Sequence, residues 1–470
     1  MKRILFVRLL EKIPYGVFTP PLGILYLIPP IKEKYPETDI FIFDSMLYKN
    51  TESSFISKIK KLNPDIVAFS INYTERDMFK RFSAITRKIR KNTKIIVGGT
   101  GTFYSPEEFI ENADFVVSGE GEERIINILD FLTKKTSTLM DGISFKSQDK
   151  TKHISPPTSY LKDLDKWGIP AWNMINIKKY STFPARNTLV KKLPYASIIT
   201  SRGCPYRCPW CHNYTDGKIF PYRTRSVENV IKELDLLKKL GVSEIQFLDD
   251  TFNIPEKRAL LIFKEIIKKD FRFSISFQGF RIDKANKKLL YLIKKAGGYK
   301  LDFGVQHVCN HITREFYRSN TPQLEKILRK NLFAKKLGFL TYAFFITGFP
   351  DETQSDAYEN LRFAMKLDPD FIGFFKLTPL PGTKYYKKIN NPEKIPSIDF
   401  NHFNSNPKLI VGDLSPAEID KIQSYSYRKF YLTRGRLFRL FLKIPKNKYL
   451  LRTILIYFKS MVNIFISDDK

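Results

Sequence analysis

Residues 201–213 read SRGCPYRCPWCHN and place Cys204, Cys208 and Cys211 in a C-x3-C-x2-C array. The array directly follows YASIITS at 195–201, whose β-branched and aromatic residues predict a strand. The chain has one other cysteine, Cys309. This distribution suits metal ligation rather than a disulfide framework, and it favours a reducing, cytoplasmic setting. The loop after this strand is therefore the candidate metal centre.

Three protein thiolates leave one iron of a [4Fe–4S] cluster free to take another ligand, whereas a purely structural cluster usually has all four irons ligated. Zinc is the alternative metal, because Cys-x2-Cys spacings also bind zinc and His212 is a possible fourth ligand in the sequence. His212 is next to Cys211, however, so its side chain would have to turn back toward the metal that Cys211 binds. Cys309 is distant and is more typical of a buried thiol. The pattern as a whole favours iron–sulfur.

Six β-rich runs alternate with Lys- and Leu-rich helical stretches from 195 to about 385. They are YASIITS, EIQFLDD, FSISFQG, LDFGVQ, TYAFFITG and FIGFFKL. Such alternation predicts a partial (β/α)6 barrel.

The first 145 residues show the same alternation in shorter form. Their runs are ILFV, DIFIF, DIVAFSI, KIIVGG and DFVVSG, which predict a doubly wound, Rossmann-like α/β domain. Ligands of such sheets lie beyond the carboxyl ends of the strands, so the candidate loops are 20–23, 70–74, 98–102 and 119–122.

Four regions follow from these patterns. Residues 1–145 form the Rossmann-like domain and residues 146–190 a linker rich in Lys, Pro, Ser and Thr. Residues 191–390 form the barrel core, and residues 391–470 a basic and aromatic helical region.

The composition limits the classes of partner. The formal net charge of the 470 residues is +31, from 79 basic and 48 acidic residues, and would attract anions. Much of it comes from lysines scattered along helical stretches, so specific nucleic-acid binding is not favoured. The first residues predict a strand rather than a signal peptide, and no apolar run reaches the roughly 18 residues of a membrane span.

The array C-x3-C-x-aromatic-C, with Trp210 before Cys211, resembles the signature of the radical S-adenosylmethionine superfamily. PPLGILYL, PDIVAFSINYT, IIVGGTGTFYSPEE and DFVVSGEGEE resemble a cobalamin-binding domain. IQFLDDTF, FRID, FGVQ, FFITGFPDET and PLPGTKYY resemble the cobalamin-dependent radical branch. The resemblance covers most of residues 1–390 and implies three cofactors: a [4Fe–4S] cluster, S-adenosylmethionine and cobalamin.

The resemblance also implies an activity. In that family the free iron chelates S-adenosylmethionine, and one electron from the cluster releases a 5′-deoxyadenosyl radical. The expected reaction is cobalamin-dependent methylation of an unactivated carbon of a small-molecule or lipid substrate. Cyclisation or carbon–carbon coupling is the alternative within the family. A flavodoxin or ferredoxin is the expected electron donor.

By the same resemblance, a set of residues at the carboxyl ends of the barrel strands would meet S-adenosylmethionine. They are Trp210, Asp249, Asp250, Arg281, Gln306 and Gly348. The competing interpretations are that Asp250 caps the next helix and that Arg281 forms an ion pair with Asp283. Gln306 and His307 stand where relatives commonly carry Glu and then Ser, so the charge that would pair with an ammonium is missing.

A second set would meet cobalamin in the first domain. It consists of Ser70, Thr74, Gly98, Gly99, Thr100 and Glu120. The D-x-H-x-x-G loop of many cobalamin domains is absent, all five histidines lie outside residues 1–145, and Gly101 stands where relatives often have His. Cobalamin would bind without a histidine from this domain. The alternative is that this domain keeps the cobalamin-binding fold but no longer binds cobalamin.

The C-terminal region leaves two interpretations open. Basic residues alternate there with large apolar ones; the set is Arg434, Arg436, Phe438, Arg439, Leu440, Phe441, Lys443, Lys446 and Lys448. Such a region can lie on an anionic membrane, which would suit a lipid substrate, or form a packed helical cap.

Two other functions compete with catalysis on a small molecule. One is a non-catalytic protein that senses cobalamin or the cluster, against which the intact cysteine array argues. The other is an RNA-modifying radical enzyme, but four cysteines are too few for a second three-thiolate site.

Overall fold

The computed structural model describes residues 2–10, 19–103, 105–147, 149, 151–181, 189–211, 213–215, 218–314, 324–378, 383–387, 412–433 and 435–446. The chain divides into two compact units, Met1–Thr182 and Phe183–Lys470.

The first unit alternates strands and helices along its described residues. In chain order they are β1 (Arg3–Arg8), α1 (Leu22–Lys34), β2 (Asp39–Asp44), α2 (Thr51–Leu62), β3 (Ile66–Ser70), α3 (Arg76–Ile89), β4 (Lys94–Gly98), β5 (Phe115–Val117), α4 (Gly121–Leu132), β6 (Ile143–Lys146) and β7 (Lys152–His153).

These strands form one sheet in the order β2-β1-β3-β4-β5-β6-β7. The first five are parallel, and β6 and β7 join antiparallel at one edge. Helices α1 and α4 pack together, as do α2 and α3. The predicted Rossmann-like fold is confirmed. Its strand order reverses at β1, which makes the loops after β1 and β3 the expected ligand position.

The core of this unit lies between the sheet and helices α2 and α3. Leu5 and Val7 of β1 point to that side, and Phe55, Phe79 and Phe82 reach it from the two helices. Alternate residues of a strand face opposite sides, so the uninterrupted apolar run ILFV reflects burial of β1 on both faces.

Part of the predicted linker packs against the first unit. Trp172 is fully buried, and N of Ala171 donates a hydrogen bond to O of Leu25 in α1 at 3.0 Å. The segment up to about residue 181 is thus anchored to the first unit.

The second unit begins with the strand that precedes the cysteines. Its strands are β8 (Tyr195–Ile198), β9 (Ser201–Arg202), β10 (Tyr214–Thr215), β11 (Lys218–Ile219), β12 (Arg223–Thr224), β13 (Glu244–Phe247), β14 (Ser274–Phe277), β15 (Gly298–Gln306), β16 (Leu340–Thr347) and β17 (Phe371–Lys376). Its helices are α5 (Val227–Lys239), α6 (Glu256–Lys268), α7 (Lys287–Lys295), α8 (Asn310–Thr313), α9 (Leu324–Lys336), α10 (Gln354–Leu367), α11 (Lys384–Lys387), α12 (Pro416–Tyr431) and α13 (Arg436–Lys443).

Six of these strands form an all-parallel sheet in the order β17-β16-β15-β14-β13-β8. Because each strand lies beside the next one in the chain and the first does not meet the last, the sheet is an open barrel. The predicted partial (β/α)6 architecture is confirmed. All six carboxyl ends lie at one edge, which is where ligands of such folds bind.

The outer edge of β17 is covered by α12. N of Phe374 donates to Oη of Tyr427 at 2.9 Å, N of Ile372 donates to Oη of Tyr431 at 3.1 Å, and Nε2 of Gln423 donates to O of Phe374 at 2.8 Å. These three side chains lie four residues apart, on one face of the helix. The helix thus satisfies backbone groups that a neighbouring strand would otherwise bind.

Among the residues that the structure describes, the short helix α13 packs on one side. Leu440 and Ile444 join a cluster with Leu340 and Phe371, whereas Phe438 on the opposite side is 67% exposed. Among its described residues, the predicted helical region of 391–470 thus contains α12 and α13.

Arg434, Lys448 and all residues from 447 onward lie outside the described residues. Within the part of the chain that is described, no helix combines the length and apolar character needed to cross a bilayer.

Candidate functional site

The cysteine loop lies at the carboxyl end of β8. Its two ends are joined by a short ladder, because β9 pairs antiparallel with β12. Gly203 has a φ of +76°, and a Cβ at this position would lie 2.6 Å from O of Pro221. Any side chain would clash there. Glycine therefore lets the two arms of the loop close immediately before Cys204.

The three cysteines of the loop carry free, half-buried thiols. Sγ of Cys204 lies 3.1 Å from Oγ1 of Thr251, and Nδ2 of Asn213 lies 3.9 Å from Sγ of Cys211. Burial, together with the neighbouring thiols, raises the pKa of Cys208 to about 12. Burial also raises the pKa of Cys211 to about 11. Without metal these thiols stay protonated at neutral pH, and metal binding would release protons.

This donor set fits an iron–sulfur cluster. The three thiols are close enough to raise one another's pKa, and three thiolates are what a [4Fe–4S] cube with one open iron requires. Among the described residues, no three side chains of His, Cys, Asp and Glu form a group that could hold a metal ion. In a cube each thiolate binds a different iron. His212, the fourth ligand considered for zinc, lies outside the described residues.

Asp249 follows β13 and is buried. Its Oδ1 accepts hydrogen bonds from N and Oγ1 of Thr200 at 3.0 and 2.7 Å and from Oγ of Ser201 at 2.5 Å. Its Oδ2 is also buried and has no hydrogen-bond partner among the described residues. Because Thr200 and Ser201 lead into the cysteine loop, Asp249 fixes the point at which that loop leaves β8.

Asp250, the next residue, is exposed. Burial is the main cause of the raised pKa values of Cys204 and Cys211, and the negative charge of Asp250 adds to both. Asp250 therefore lies near the thiols with its side chain in reach of a ligand. The structure gives the two adjacent carboxylates different surroundings.

Arg281 follows β14 and forms a two-pronged ion pair with Asp283, with Nε–Oδ1 and Nη2–Oδ2 distances of 2.8 and 2.7 Å. Its guanidinium lies 4.2 Å from the ring centroid of Tyr206 in the cysteine loop. Asn253 holds its main chain, donating to O and accepting from N at 2.9 Å each. The ion pair foreseen as an alternative is present, and Arg281 also braces the loop.

Trp210 extends from the cysteine loop into an apolar cluster at the carboxyl ends of the later strands. Its ring meets that of Phe349 edge-on at 5.2 Å and stacks with that of Tyr385 at 6.5 Å. Phe349 follows Gly348, where a Cβ would lie 2.9 Å from Cδ1 of Ile419 in α12. Trp210 and Gly348 thus lie in neighbouring segments, and Gly348 also packs against α12.

Gln306 ends β15 with a φ of +69°, which few non-glycine residues adopt. A register shift lies between Gly304 and Gln306. The side chain of Gln306 turns back over Gly304, where a Cβ would meet Nε2 at 2.1 Å. Residues in such conformations cluster at binding sites, so Gln306 remains a candidate ligand contact.

A buried His–Glu pair follows β15 and was not predicted. Nδ1 of His307 accepts from N of Cys309 at 3.1 Å, so we place the ring proton on Nε2, 3.1 Å from Oε1 of Glu352. Oε2 of Glu352 accepts from N of Gly348 and N of Phe349 at 2.6 and 2.8 Å. The pair therefore holds the loop after β16. The signals in the sequence were the unusual histidine and the glutamate of GFPDET.

The loops after β3 and β4 in the first unit are joined to each other. N of Ile71 donates to O of Gly98 at 3.0 Å, and Oγ1 of Thr100 donates to Oδ1 of Asn72 at 2.9 Å. Gly99 has a φ of +109°, and a Cβ there would lie 2.4 Å from O of Ile71. Asn72, Gly99 and Thr100 are exposed. This polar edge at the reversal of strand order fits a large ligand that carries amides.

The other residues predicted for cobalamin are partly engaged inside the unit. Oγ1 of Thr74 donates to Oε1 of Glu75 at 2.8 Å, and Oε2 of Glu120 accepts from N of Leu161 at 2.7 Å. Ser70 is half-buried at the end of β3. The structure therefore brings Ser70, Thr74 and the glycine loop to one region, while Glu120 anchors the segment around Leu161.

The first unit has a single histidine, His153, in β7. Its ring stacks on Phe145 with a centroid distance of 4.6 Å. Strands β4, β5 and β6 separate β7 from β3. A corrin held at the loops after β3 and β4 would therefore receive no imidazole from the described part of these loops.

Two family models match the chain. A model described as the Radical SAM superfamily matches residues 198–364, and one described as the B12 binding domain matches residues 13–129. The first range contains the cysteine loop, and the second contains the joined loops after β3 and β4.

Relatives match over most of the chain. An uncharacterized methyltransferase of Pyrococcus horikoshii is 30% identical over 89% of this chain and 89% of its own. An anaerobic magnesium-protoporphyrin IX monomethyl ester cyclase of Rubrivivax gelatinosus is 25% identical over 94% of this chain and 79% of its own. The solved structure of the cobalamin-dependent S-adenosylmethionine radical enzyme OxsB, with aqua-cobalamin and S-adenosylmethionine bound, superimposes with a TM-score of 0.72 at 17% identity, covering 98% of this chain and 71% of OxsB. The likeness to OxsB is one of fold.

Proposed function

The chain belongs to the radical S-adenosylmethionine enzymes that carry a B12-binding domain, and we propose that it methylates an unactivated carbon of a small-molecule substrate. The observation that carries the proposal is the loop after β8, on which three free thiols lie together at the carboxyl edge of the barrel. The relative named a methyltransferase, at 30% identity, supports methyl transfer over other outcomes.

The cofactors of such an enzyme are a [4Fe–4S] cluster, S-adenosylmethionine and cobalamin. When bound, they supply a 5′-deoxyadenosyl radical and a transferable methyl group. For the chain's own part, we propose that Cys204, Cys208 and Cys211 hold the cluster. Thr251 would then lie beside one ligating sulfur, because its hydroxyl is 3.1 Å from Sγ of Cys204. The raised thiol pKa values mean that loading should release protons.

The residues predicted for S-adenosylmethionine divide by their surroundings. We propose that the exposed Asp250 and Gln306 contact S-adenosylmethionine directly. Arg281 would also contact it while keeping its ion pair with Asp283. Asp249 would act through the loop that it holds, since both its carboxylate oxygens are buried. Trp210 and Gly348 would shape the apolar side of this site.

For cobalamin, we propose that the edge formed by Asn72, Gly98, Gly99 and Thr100 accepts the corrin, with Ser70 and Thr74 beside it. Exposed hydroxyl and amide groups on this edge can pair with the amides of a corrin. Glu120 would contribute by anchoring the segment that follows its own strand.

Ring closure is the second candidate reaction. The Rubrivivax relative, at 25% identity, is named a cyclase. The two reactions differ in their by-products, because methyl transfer consumes a second S-adenosylmethionine and yields S-adenosylhomocysteine, whereas a cyclisation does not require it.

The proposal is tested by anaerobic reconstitution with iron, sulfide and cobalamin, followed by reduction in the presence of S-adenosylmethionine. We expect 5′-deoxyadenosine, bound corrin and S-adenosylhomocysteine. Cys208→Ala should abolish 5′-deoxyadenosine while corrin stays bound. Cys309→Ala is the matched control, because Cys309 lies outside the array and should leave cleavage intact.

Three outcomes would contradict the proposal. A preparation that holds zinc or no cluster and cleaves nothing would refute the radical chemistry. Binding of S-adenosylmethionine without cleavage would favour a sensing protein. Cleavage without S-adenosylhomocysteine would favour ring closure or coupling over methyl transfer.

We further propose that the protein is cytoplasmic, takes electrons from a small carrier protein, and touches anionic membranes through α13. Four free cysteines support the first statement. Support for membrane contact is the exposure of Phe438, Phe441 and Leu442 at 67%, 48% and 56%, in a segment, 421–467, that contains eleven Lys and Arg and no Asp or Glu. Aromatic and basic residues together favour anionic interfaces.

Sedimentation with vesicles of equal phosphatidylglycerol and phosphatidylcholine tests this contact. Wild-type protein should sediment at low salt, and Phe438→Ser with Phe441→Ser should reduce the bound fraction severalfold. Leu261→Ser is the control, because Leu261 is 43% exposed on α6, a helix that packs with α5 and α7. Equal sedimentation of all three proteins would count against the membrane contact.

A further inference from the structure

The open barrel has an inner face whose residues are fixed by strand register. Register partners in a parallel sheet point to the same side. On β15, β16 and β17 the inner residues are Lys300, Asp302, Gly304, Leu340, Tyr342, Phe344, Ile346, Phe371, Gly373 and Phe375. The ring of Phe374 meets that of Tyr427 in α12, so Phe374 points outward and Phe375 points inward.

Three inner residues, Tyr342, Phe344 and Phe375, form what we call the aromatic wall. The ring centroids of Tyr342 and Phe344 are 4.4 Å apart, and those of Phe344 and Phe375 are 5.6 Å apart. Phe375 is 38% exposed. Tyr342 and Phe344 are half-buried, and Tyr342 packs on one side against the cluster that contains Leu340 and Phe371. Ala343 and Phe345, which alternate with them along β16, are buried. A contiguous patch of large, incompletely buried rings marks a binding surface.

A buried ion pair lies at one end of the wall. Nζ of Lys300 is 2.7 Å from Oδ2 of Asp302, and the side chains are 1% and 3% exposed. Oδ1 of Asp302 is buried and has no hydrogen-bond partner among the described residues, which is costly for a carboxylate. Burial raises the pKa of Asp302 to about 6, and Lys300 opposes this shift. Asp302 is the register partner of Tyr342, so this oxygen lies at the foot of the wall.

The other end of the wall reaches the candidate functional site. Ile346 is the register partner of Phe375 and packs in the same cluster as Trp210 of the cysteine loop. Four residues separate Tyr342 from Ile346, which corresponds to about 13 Å along a strand. The wall therefore spans the distance between the ion pair and the cysteine loop.

We propose that the inner face binds the substrate, and that the substrate is a rigid, ring-rich apolar molecule about 13 Å long with a hydrogen-bond donor at one end. The donor meets Oδ1 of Asp302, and the opposite end lies beside Trp210. The inference rests on the proposed function, because the carbon to be modified would be at the Trp210 end.

The geometry of the wall selects rings over flexible chains. The planes of Tyr342 and Phe344 are inclined at 47°, and those of Phe344 and Phe375 at 55°. Neighbouring side chains therefore offer both faces and edges, which suit aromatic or fused-ring partners. The negatively charged carboxylate of Asp302 favours a ligand whose nearby group is a hydrogen-bond donor and disfavours one whose nearby group is an anion.

The probe for this face is N-phenyl-1-naphthylamine, a neutral fluorescent molecule with two aromatic units and one N–H donor, titrated into the reconstituted full-length protein. We expect saturable binding of one probe per chain. Phe375→Ser should weaken binding at least tenfold. Leu261→Ser makes a similar change at an apolar residue of α6 that is 43% exposed and is not part of the wall, and it should leave the affinity unchanged.

The polar end is tested with 1-phenylnaphthalene, which has a similar shape and no donor. Wild-type protein should prefer the amine by about tenfold. Replacing both members of the pair, Lys300→Met with Asp302→Leu, should remove this preference without leaving a buried charge unpaired. Circular dichroism verifies that each variant is folded.

Each outcome decides one part of the inference. If the probe does not bind, or if Phe375→Ser and Leu261→Ser weaken binding equally, the aromatic wall is not a ligand site and another part of the chain covers it. If the amine is not preferred, Asp302 does not receive a donor. Formation of 5′-deoxyadenosine by the same preparation is measured in parallel, so cleavage without probe binding overturns this inference alone, and probe binding without cleavage overturns the proposed function alone.

Discussion

The two adjacent aspartates after β13 provide a direct test of how the cysteine loop is held. Asp249→Ala removes the acceptor of three hydrogen bonds from Thr200 and Ser201. A buried donor left without a partner costs about 1–3 kcal/mol. The two hydroxyls can rotate toward other acceptors but the N–H of Thr200 cannot, so we expect a total loss of about 3 kcal/mol.

In a unit of this size, 1 kcal/mol corresponds to roughly 2 °C in melting temperature, so Asp249→Ala should melt about 6 °C lower. Asp250→Ala is the matched control. It makes the same change one residue further along, at an exposed position, where substitutions usually alter stability by no more than about 0.5 kcal/mol. Asp249→Asn should recover much of the loss, because Oδ1 remains available as an acceptor.

The measurements are thermal unfolding of the metal-free variants and the iron content of each after anaerobic reconstitution. Asp249→Ala should lose both stability and iron, and Asp250→Ala neither. Equal melting temperatures and equal iron for the two alanine variants would refute the inference that Asp249 organises the entry to the loop.

Three further variants test other parts of the fold and site. Gly99→Ala should lower the melting temperature by several degrees and reduce corrin retention, because its Cβ would meet a backbone oxygen at 2.4 Å, whereas Gly23→Ala, with open space around it, should do neither. Burial raises the pKa of Glu244 from 4.5 to about 7, so folding takes up a proton and stability falls as pH rises across that interval. Glu244→Gln should flatten this fall in melting curves at pH 5 and pH 7.5, and an unchanged slope would contradict the assignment. Thr251→Val removes the hydroxyl 3.1 Å from Sγ of Cys204 and should make the midpoint potential of the reconstituted cluster more negative, as followed by anaerobic redox titration.

The sequence predicted the fold well because both units are built from repeated local patterns. Short β-branched runs separated by amphipathic helices define parallel sheets, and the cysteine array directly after YASIITS indicated which strand begins the barrel. Strands β6 and β7 carry no comparable periodicity. Their pairing is tertiary: β6 pairs with the edge of β5, and β7 pairs with β6.

Within the site, the sequence could not distinguish residues that differ only in their surroundings. Asp249 and Asp250 are identical and adjacent, and only the packing of β8 against β13 buries one of them. The link from His307 to Glu352 joins residues 45 positions apart, so no local pattern reveals it. Oδ1 of Asp302 is likewise buried by neighbouring strands and has no hydrogen-bond partner among the described residues. The local sequence around Asp302 does not reveal this.

The cover that α12 provides for β17 has a consequence for the growing chain. Tyr427 and Tyr431 are synthesised about fifty residues after β17, and at 5–20 residues per second that delay lasts roughly 3 to 10 s. During this interval the amide groups of Ile372 and Phe374 lack their final acceptors. During translation, the last strand of the barrel thus has an unpaired edge that can pair with another chain. A shortened chain that ends before residue 427 would lack Tyr427 and Tyr431, and its strand edge would stay unpaired.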